Sequence, residues 1–199
     1  MKLLVSALLL LSGISFLHAQ DAITPGTPMP KGDLKVKDVS GILISLNEVK
    51  TSGGILVMFS SNTCAYVIRN QQRTRDICLY ALEKGIGVVL LNSNDGNRSG
   101  GDSFAQMQQY AKSQNFVWKY ALDSHSELAD ALGATRTPEC FLFDGNLRLV
   151  YHGAIDDNPT NESQVKRKHL KQAIAELVAG KEVSVRESQF IGCTIHRPR

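Results

Sequence analysis

Gly54-Ile55-Leu56-Val57-Met58-Phe59 and Ile86-Gly87-Val88-Val89-Leu90-Leu91 are short unbroken apolar runs, the pattern of strands covered on both faces. Such strands sit centrally in a parallel sheet, and a parallel pair needs a crossover long enough to hold a helix. Asn62 to Lys84 supplies it, with few breakers and apolar residues at Val67, Ile68, Ile77, Cys78, Ala81 and Leu82. One crossover helix is expected there. Its polar middle, Arg69 to Asp76, reads as a solvated face in preference to an anion site.

The other segments extend this α/β frame. Residues 34–36 and 42–46 flank Asp38-Val39-Ser40-Gly41 and predict an N-terminal hairpin. Asp102-Ser103 is a fair cap for a helix carrying Phe104, Met107, Tyr110 and Ala111. Trp118 to Leu122 reads as a strand, and Ser126 to Leu132 as a short helix stopped by Gly133. Glu139 to Asp144 and Leu147 to Ala154 form an antiparallel pair around Gly145-Asn146. Lys166 to Ala179 places Leu170, Ala173, Ile174, Leu177 and Val178 on one helix face. The expected fold is a three-layer α/β/α sandwich with a mixed central sheet.

At the amino end, Lys2, an apolar run from Leu3 to Leu11, Ser12-Gly13 and Ala19 have the layout of a secretory signal peptide. The run is shorter than the roughly 18 residues of a membrane span, so no anchor is expected after cleavage. The reading is a leader over 1–19, an extended Pro/Gly-rich lead-in over 20–32, one domain over 33–180 and a tail over 181–199. The product is then periplasmic or secreted. A formal net charge of +3, with basic and acidic residues interleaved, gives no reason to expect nucleic acid as a partner.

Export lets disulfides persist among Cys64, Cys78, Cys140 and Cys193. Cys64 and Cys78, on one helix, would lie about 20 Å apart and cannot pair. Cys64 follows the first central strand, in or near the first turn of a helix, where unpaired N–H groups favour a thiolate. Thr137-Pro138 opens a strand and is a candidate cis bond whose neighbouring backbone can pair with a peptide. Ile191-Gly192-Cys193-Thr194-Ile195 is an apolar patch that pins the tail. Cys78 and Cys140 read as core thiols or a structural bridge. His125, His152, His169 and His196 lack metal spacing and read as surface or turn residues. Asp156-Asp157-Asn158-Pro159 is a turn, and Asn97 and Asn161 stand in glycan-acceptor triplets.

The stretches Val57 to Cys64, Leu91 to Asp95, Gly133 to Glu139, Tyr151 to Asn158 and Gly192 to Ile195 resemble the exported redoxin branch of the thioredoxin-like superfamily. That branch is commonly grouped with the alkyl hydroperoxide reductase and thiol-specific antioxidant proteins. Its pattern is Cys-Asn-x-Cys-Pro, and this chain has Ser61-Asn62-Thr63-Cys64-Ala65, so the attacking cysteine is replaced by Ser61. A serine cannot form a disulfide, which excludes dithiol exchange between Ser61 and Cys64. The resemblance implies Cys64, with Cys193, Thr137 and Pro138, as the site, protein thiols or disulfides as partners, and no metal, nucleotide or haem. It gives no oligomeric state.

Three readings stay open. Cys64 works with a second cysteine, Cys193 first among them, as a thiol-disulfide oxidoreductase. Alternatively Cys64 reacts alone with peroxide, since Ser61 resembles the Thr/Ser-x-x-Cys part of a peroxiredoxin site, although Val57 stands where that site has proline. In the third reading the chain is a redox-silent, chaperone-like binding module that keeps the groove near Pro138.

Overall fold

The computed structural model describes residues 21–197, so the expected leader over 1–19 lies outside the described residues. Seven strands form one mixed sheet: β1 (Val36–Asp38), β2 (Leu43–Ile44), β3 (Ile55–Ser60), β4 (Gly87–Asn92), β5 (Lys119–Leu122), β7 (Glu139–Phe143) and β8 (Leu149–Gly153). Their spatial order is β2-β1-β5-β4-β3-β7-β8. β6 (Arg136–Thr137) pairs separately with β9 (Cys193–Thr194). The helices are α1 (Leu46–Val49), α2 (Ala65–Arg69), α3 (Gln71–Glu83), α4 (Phe104–Ser113), α5 (Glu127–Leu132) and α6 (His169–Val178).

The two apolar runs become β3 and β4, parallel neighbours in register from Ile55 opposite Gly87 to Ser60 opposite Asn92. Alternate side chains leave opposite faces of a strand. Leu56, Met58, Val88 and Leu90 accordingly join α3, α4 and α6 in one core, while Ile55, Val57, Phe59, Val89 and Leu91 join α1 and α5 in the other. Each such fully buried side chain contributes about 1.5–3 kcal/mol. This is the expected three-layer sandwich. Ser45 and Glu48 make a reciprocal cap on α1, Ser103 caps α4, and Gly133, with φ +71°, ends α5.

Five expectations are corrected. The crossover is two helices, broken at Asn70, whose side-chain amide donates to the carbonyls of Tyr66 and Pro159 in place of letting the turn continue. The polar stretch is solvated on one side only: Arg69, Gln72 and Asp76 are exposed, while Asn70, Arg73 and Thr74 are buried. Arg73 Nη1 lies 2.7 Å from Asp156 Oδ2 and also donates to the Asn158 carbonyl, so residues 156–159 are fastened to α3 and are more than a turn. His152 is also buried. Its Nε2 lies 2.8 Å from Glu139 Oε1, and its ring stacks on Phe141 with centroids 4.4 Å apart. Finally, the lead-in is a packed element: Gly26 N–H donates to Leu149 O, Met29 N–H to Leu147 O, and Ile23 and Met29 rest on the core.

The lead-in thereby covers the outer edge of β8, a position that would otherwise invite pairing with another chain. The tail covers the rest of it, through His152 N–H to Arg186 O and Ser188 N–H to His152 O. Cys78 and Cys140 are free thiols at zero exposure, and burial pushes both above the ordinary cysteine range. Among the described residues, no helix is long and apolar enough to cross a membrane.

Candidate functional site

β3 ends at Ser60, and the chain turns through Ser61, Asn62 and Thr63 to Cys64, the N-cap residue of α2. Cys64 is bonded to Cys193 in a disulfide with Cα atoms 5.8 Å apart, across 129 residues of sequence. Strand pairing carries Cys193 there: β9 runs antiparallel to β6, with Thr137 opposite Cys193 and Arg136 opposite Thr194. The Thr137–Pro138 peptide is cis. The Thr137 carbonyl oxygen lies 3.1 Å from Cys64 Sγ. A disulfide sulfur has no proton to donate, so this contact becomes a hydrogen bond only when the thiol is released. Cys64, Cys193, Thr137 and Pro138 therefore converge on one place. Cys64 is 3% exposed and Cys193 half-buried, so Cys193 is the less buried residue of the pair.

The tail is strapped on both sides of the bond. Downstream, Ile195 N–H donates to Thr135 O and His196 N–H to Asn94 Oδ1, both at 2.9 Å, with the Ile195 side chain in the core. Upstream, the Ser188 hydroxyl accepts from Ala154 N–H and lies 2.7 Å from the Tyr151 hydroxyl. The loop before Thr137 is shaped from beneath by Glu139. Its Oε2 accepts from the N–H groups of Thr135 and Arg136, both at 2.9 Å, while Oε1 engages His152.

Ser61 points elsewhere. Its hydroxyl donates to the fully buried Asp102 carboxylate at 3.0 and 3.2 Å and accepts from Thr63 N–H. Asp102 further accepts from Asn62 N–H, the Thr63 hydroxyl and the amides of Asn92, Asn94 and Asn97. Burial raises the Asp102 pKa, but the bonds from Asn97, Asn92, Asn62 N–H and Asn94 outweigh that and hold it below the ordinary value. Asp102 thus anchors the loop that presents Cys64. Its neighbour Ser103 provides the helix cap. The amide of Asn97 is spent on this anchor, whereas Asn161 is exposed.

The arrangement explains what a serine does at the first motif position. Ser61→Cys would put a thiol about 3 Å from a carboxylate, and a neighbouring negative charge disfavours the thiolate. The introduced thiol is expected to be alkylated more slowly at neutral pH than free cysteine. A rate equal to that of free cysteine would overturn the link between Ser61 and Asp102.

The Redoxin family model matches residues 24–169, so it stops short of Cys193 and the tail. No curated protein matches the chain. Among solved structures, a hypothetical protein from Sinorhizobium meliloti 1021 is 32% identical, with 89% of this chain and 97% of that one covered and a TM-score of 0.81. An uncharacterized conserved protein from Geobacillus kaustophilus is 29% identical over 87% and 92%, also at 0.81. The thioredoxin domain of a thiol-disulfide oxidoreductase from Bacteroides vulgatus is similar in fold, with 16% identity over 66% and 89% and a TM-score of 0.55. With nearly three quarters of its length matched and this thioredoxin-like architecture, the chain belongs to the Redoxin family.

Proposed function

We propose that the protein is an exported thiol-disulfide oxidoreductase that uses Cys64 and Cys193 as its redox pair. The observation that carries this is the bond between a cysteine at the start of α2 and a cysteine held on the edge of β6. An incoming thiolate attacks the sulfur of Cys193, the less buried partner, the S–S bond breaks, and the electron pair leaves on Cys64. A second thiolate then attacks the sulfur of the first, forming a disulfide between the two and freeing Cys193 as a thiolate. Two substrate thiols lose two electrons, and the protein disulfide gains them. In the other direction, with residues 191–194 off β6, the dithiol reduces a partner disulfide by a separate route in which Cys64 takes the partner sulfur and Cys193 resolves the mixed disulfide. Once the Cys64 thiolate takes a proton from solvent, its S–H donates a hydrogen bond to the Thr137 carbonyl, and Pro138 adjoins it. A structural bond of this kind also fits a periplasmic or secreted location, where disulfides persist.

The peroxide reading has less support, because the hydroxyl it would use at Ser61 is committed to Asp102. The binding-module reading rests on the burial of Cys64. Equilibration of the native protein with graded mixtures of reduced and oxidised glutathione, followed by acid quench and alkylation, separates them. The expected result is a reversible two-electron titration of the Cys64–Cys193 bond, with reduction of a protein disulfide such as that of insulin abolished in Cys64→Ser. A bond that stays intact in excess dithiothreitol under native conditions would leave only the binding module.

A further inference from the structure

Ile191 to Thr194 lie against the site as a bound peptide would. β6 has no strand partner among the described residues other than β9, so departure of residues 191–194, with Ile195 still on Thr135, bares the backbone of Arg136 and Thr137 for strand addition. Gly192 is fitted to this edge by space: a Cβ there would sit 2.3 Å from the Thr137 carbonyl oxygen and 2.7 Å from its carbon. Both are backbone atoms and cannot swing aside. Ile191 remains 54% exposed beside a small notch lined by Pro138, Ala154, Ile155 and Pro159, with Asn70 and the Asp156 carboxylate at its polar side. Thr194, just past the cysteine, faces solvent.

We propose that residues 191–194 are a tethered pseudo-substrate. In the reduced protein the same edge takes an extended segment of a partner protein, with glycine directly before its disulfide-bonded cysteine and an aliphatic residue before that. This rests on the two-cysteine reading above and names its substrate. The Cys64 thiolate attacks the partner's cysteine sulfur, breaking the partner disulfide and releasing the other partner thiolate. The Cys193 thiolate then attacks Cys64 Sγ, which re-forms the internal bond and expels the partner as a thiol. Tail and partner compete for one strand position, so resolution of the mixed disulfide is also displacement of the product.

The test uses the full chain carrying Cys193→Ser and short peptides of sequence Phe-Ile-Gly-Cys-Thr-Ile whose cysteine is disulfide-bonded to thionitrobenzoate. Attack by Cys64 exchanges one disulfide for another and releases the coloured thiolate. The glycine peptide is expected to react at least about tenfold faster than one with valine before the cysteine, a difference of about 1.4 kcal/mol in barrier. Aspartate in place of the isoleucine before the glycine should slow it severalfold, and glutamate in place of the threonine should change little. Equal rates for the glycine and valine peptides, with cystamine still modifying Cys64, overturn the pseudo-substrate and leave the redox pair standing. A Cys64 that reacts with neither peptides nor cystamine overturns both. As a second measurement, Gly192→Val in the otherwise native chain should make the Cys64–Cys193 bond at least about tenfold easier to reduce in a glutathione buffer. An unchanged equilibrium constant would count against the proposal.

Discussion

Replacing Cys193 by serine is expected to lower the unfolding free energy under oxidising conditions by about 5 kcal/mol, the loop-closure value for a link spanning 129 residues. The link acts mainly on the unfolded chain, which it keeps compact. The oxidised wild type should therefore also unfold with a smaller dependence on denaturant than its reduced form. In guanidinium titrations, reduced wild type, Cys193→Ser and Cys64→Ser should share a lower midpoint, and the two variants should ignore dithiothreitol. A wild-type midpoint that ignores dithiothreitol as well would remove the bond from this account. A loss of this size also bears on function, since every reduction of the pair would give up much of the stability of a small domain. The straps at Ile195, His196 and Ser188 do not depend on the bond and let the reduced chain keep its fold.

The sheet centre is legible because burial on both faces writes itself as continuous hydrophobicity, as in Ile55 to Phe59 and Val88 to Leu91. Gly133 is legible because few residue types tolerate its φ of +71°, whereas in the turn after β7 the left-handed conformation falls on Leu147, at φ +59°, and on neither Gly145 nor Asn146. The break at Asn70 is not, since a polar run fits a solvated helix face equally well. What decides it is the Asn70 amide meeting the Pro159 carbonyl, a partner 89 positions away. Asp102 was hidden for the same reason: its donors come from 61–63 and 92–97, and local reading offers only the cap beside it. The signal that could have exposed it is the run of polar residues after β4, Asn92, Ser93 and Asn94, all buried at the end of an apolar strand. Cys64 at a helix start, Thr137-Pro138 at a strand start and Cys193 in an apolar tail patch are each legible locally, and the resemblance joins them into one site. The two-residue ladder of β6 and β9 that gathers them has no periodicity to read.

Removing the Asp102 carboxylate should be nearly as costly as removing the disulfide. Asp102→Ala takes the acceptor from the Asn92 and Asn94 amides, the Ser61 hydroxyl and the Asn62 N–H; Asn92 keeps its bond to the Tyr120 hydroxyl and Ser61 its contact with the Thr63 hydroxyl, while the other two bear desolvation without that partner. Abandoned groups of this kind cost about 1–3 kcal/mol apiece before relaxation, so a total on the order of 4 kcal/mol is expected. Asp102→Asn, which keeps one acceptor but adds a donor facing donors, should lose about half as much. The sign of the pH effect follows from the depressed pKa. The unfolded aspartate titrates near 3.8 and the folded one lower, so the contribution is complete above that value and disappears as pH falls through the folded pKa. Asp123 works in the opposite sense, because burial raises its pKa despite bonds from Leu128 N–H, Ser93 and Ala129 N–H. Subtracting the Asp102→Asn stability profile from that of wild type cancels Asp123 and leaves a difference that shrinks below about pH 4. A difference that stays flat to pH 2, or an alanine variant within about 1 kcal/mol of wild type, would mean that the loop before Cys64 is held by something other than this carboxylate.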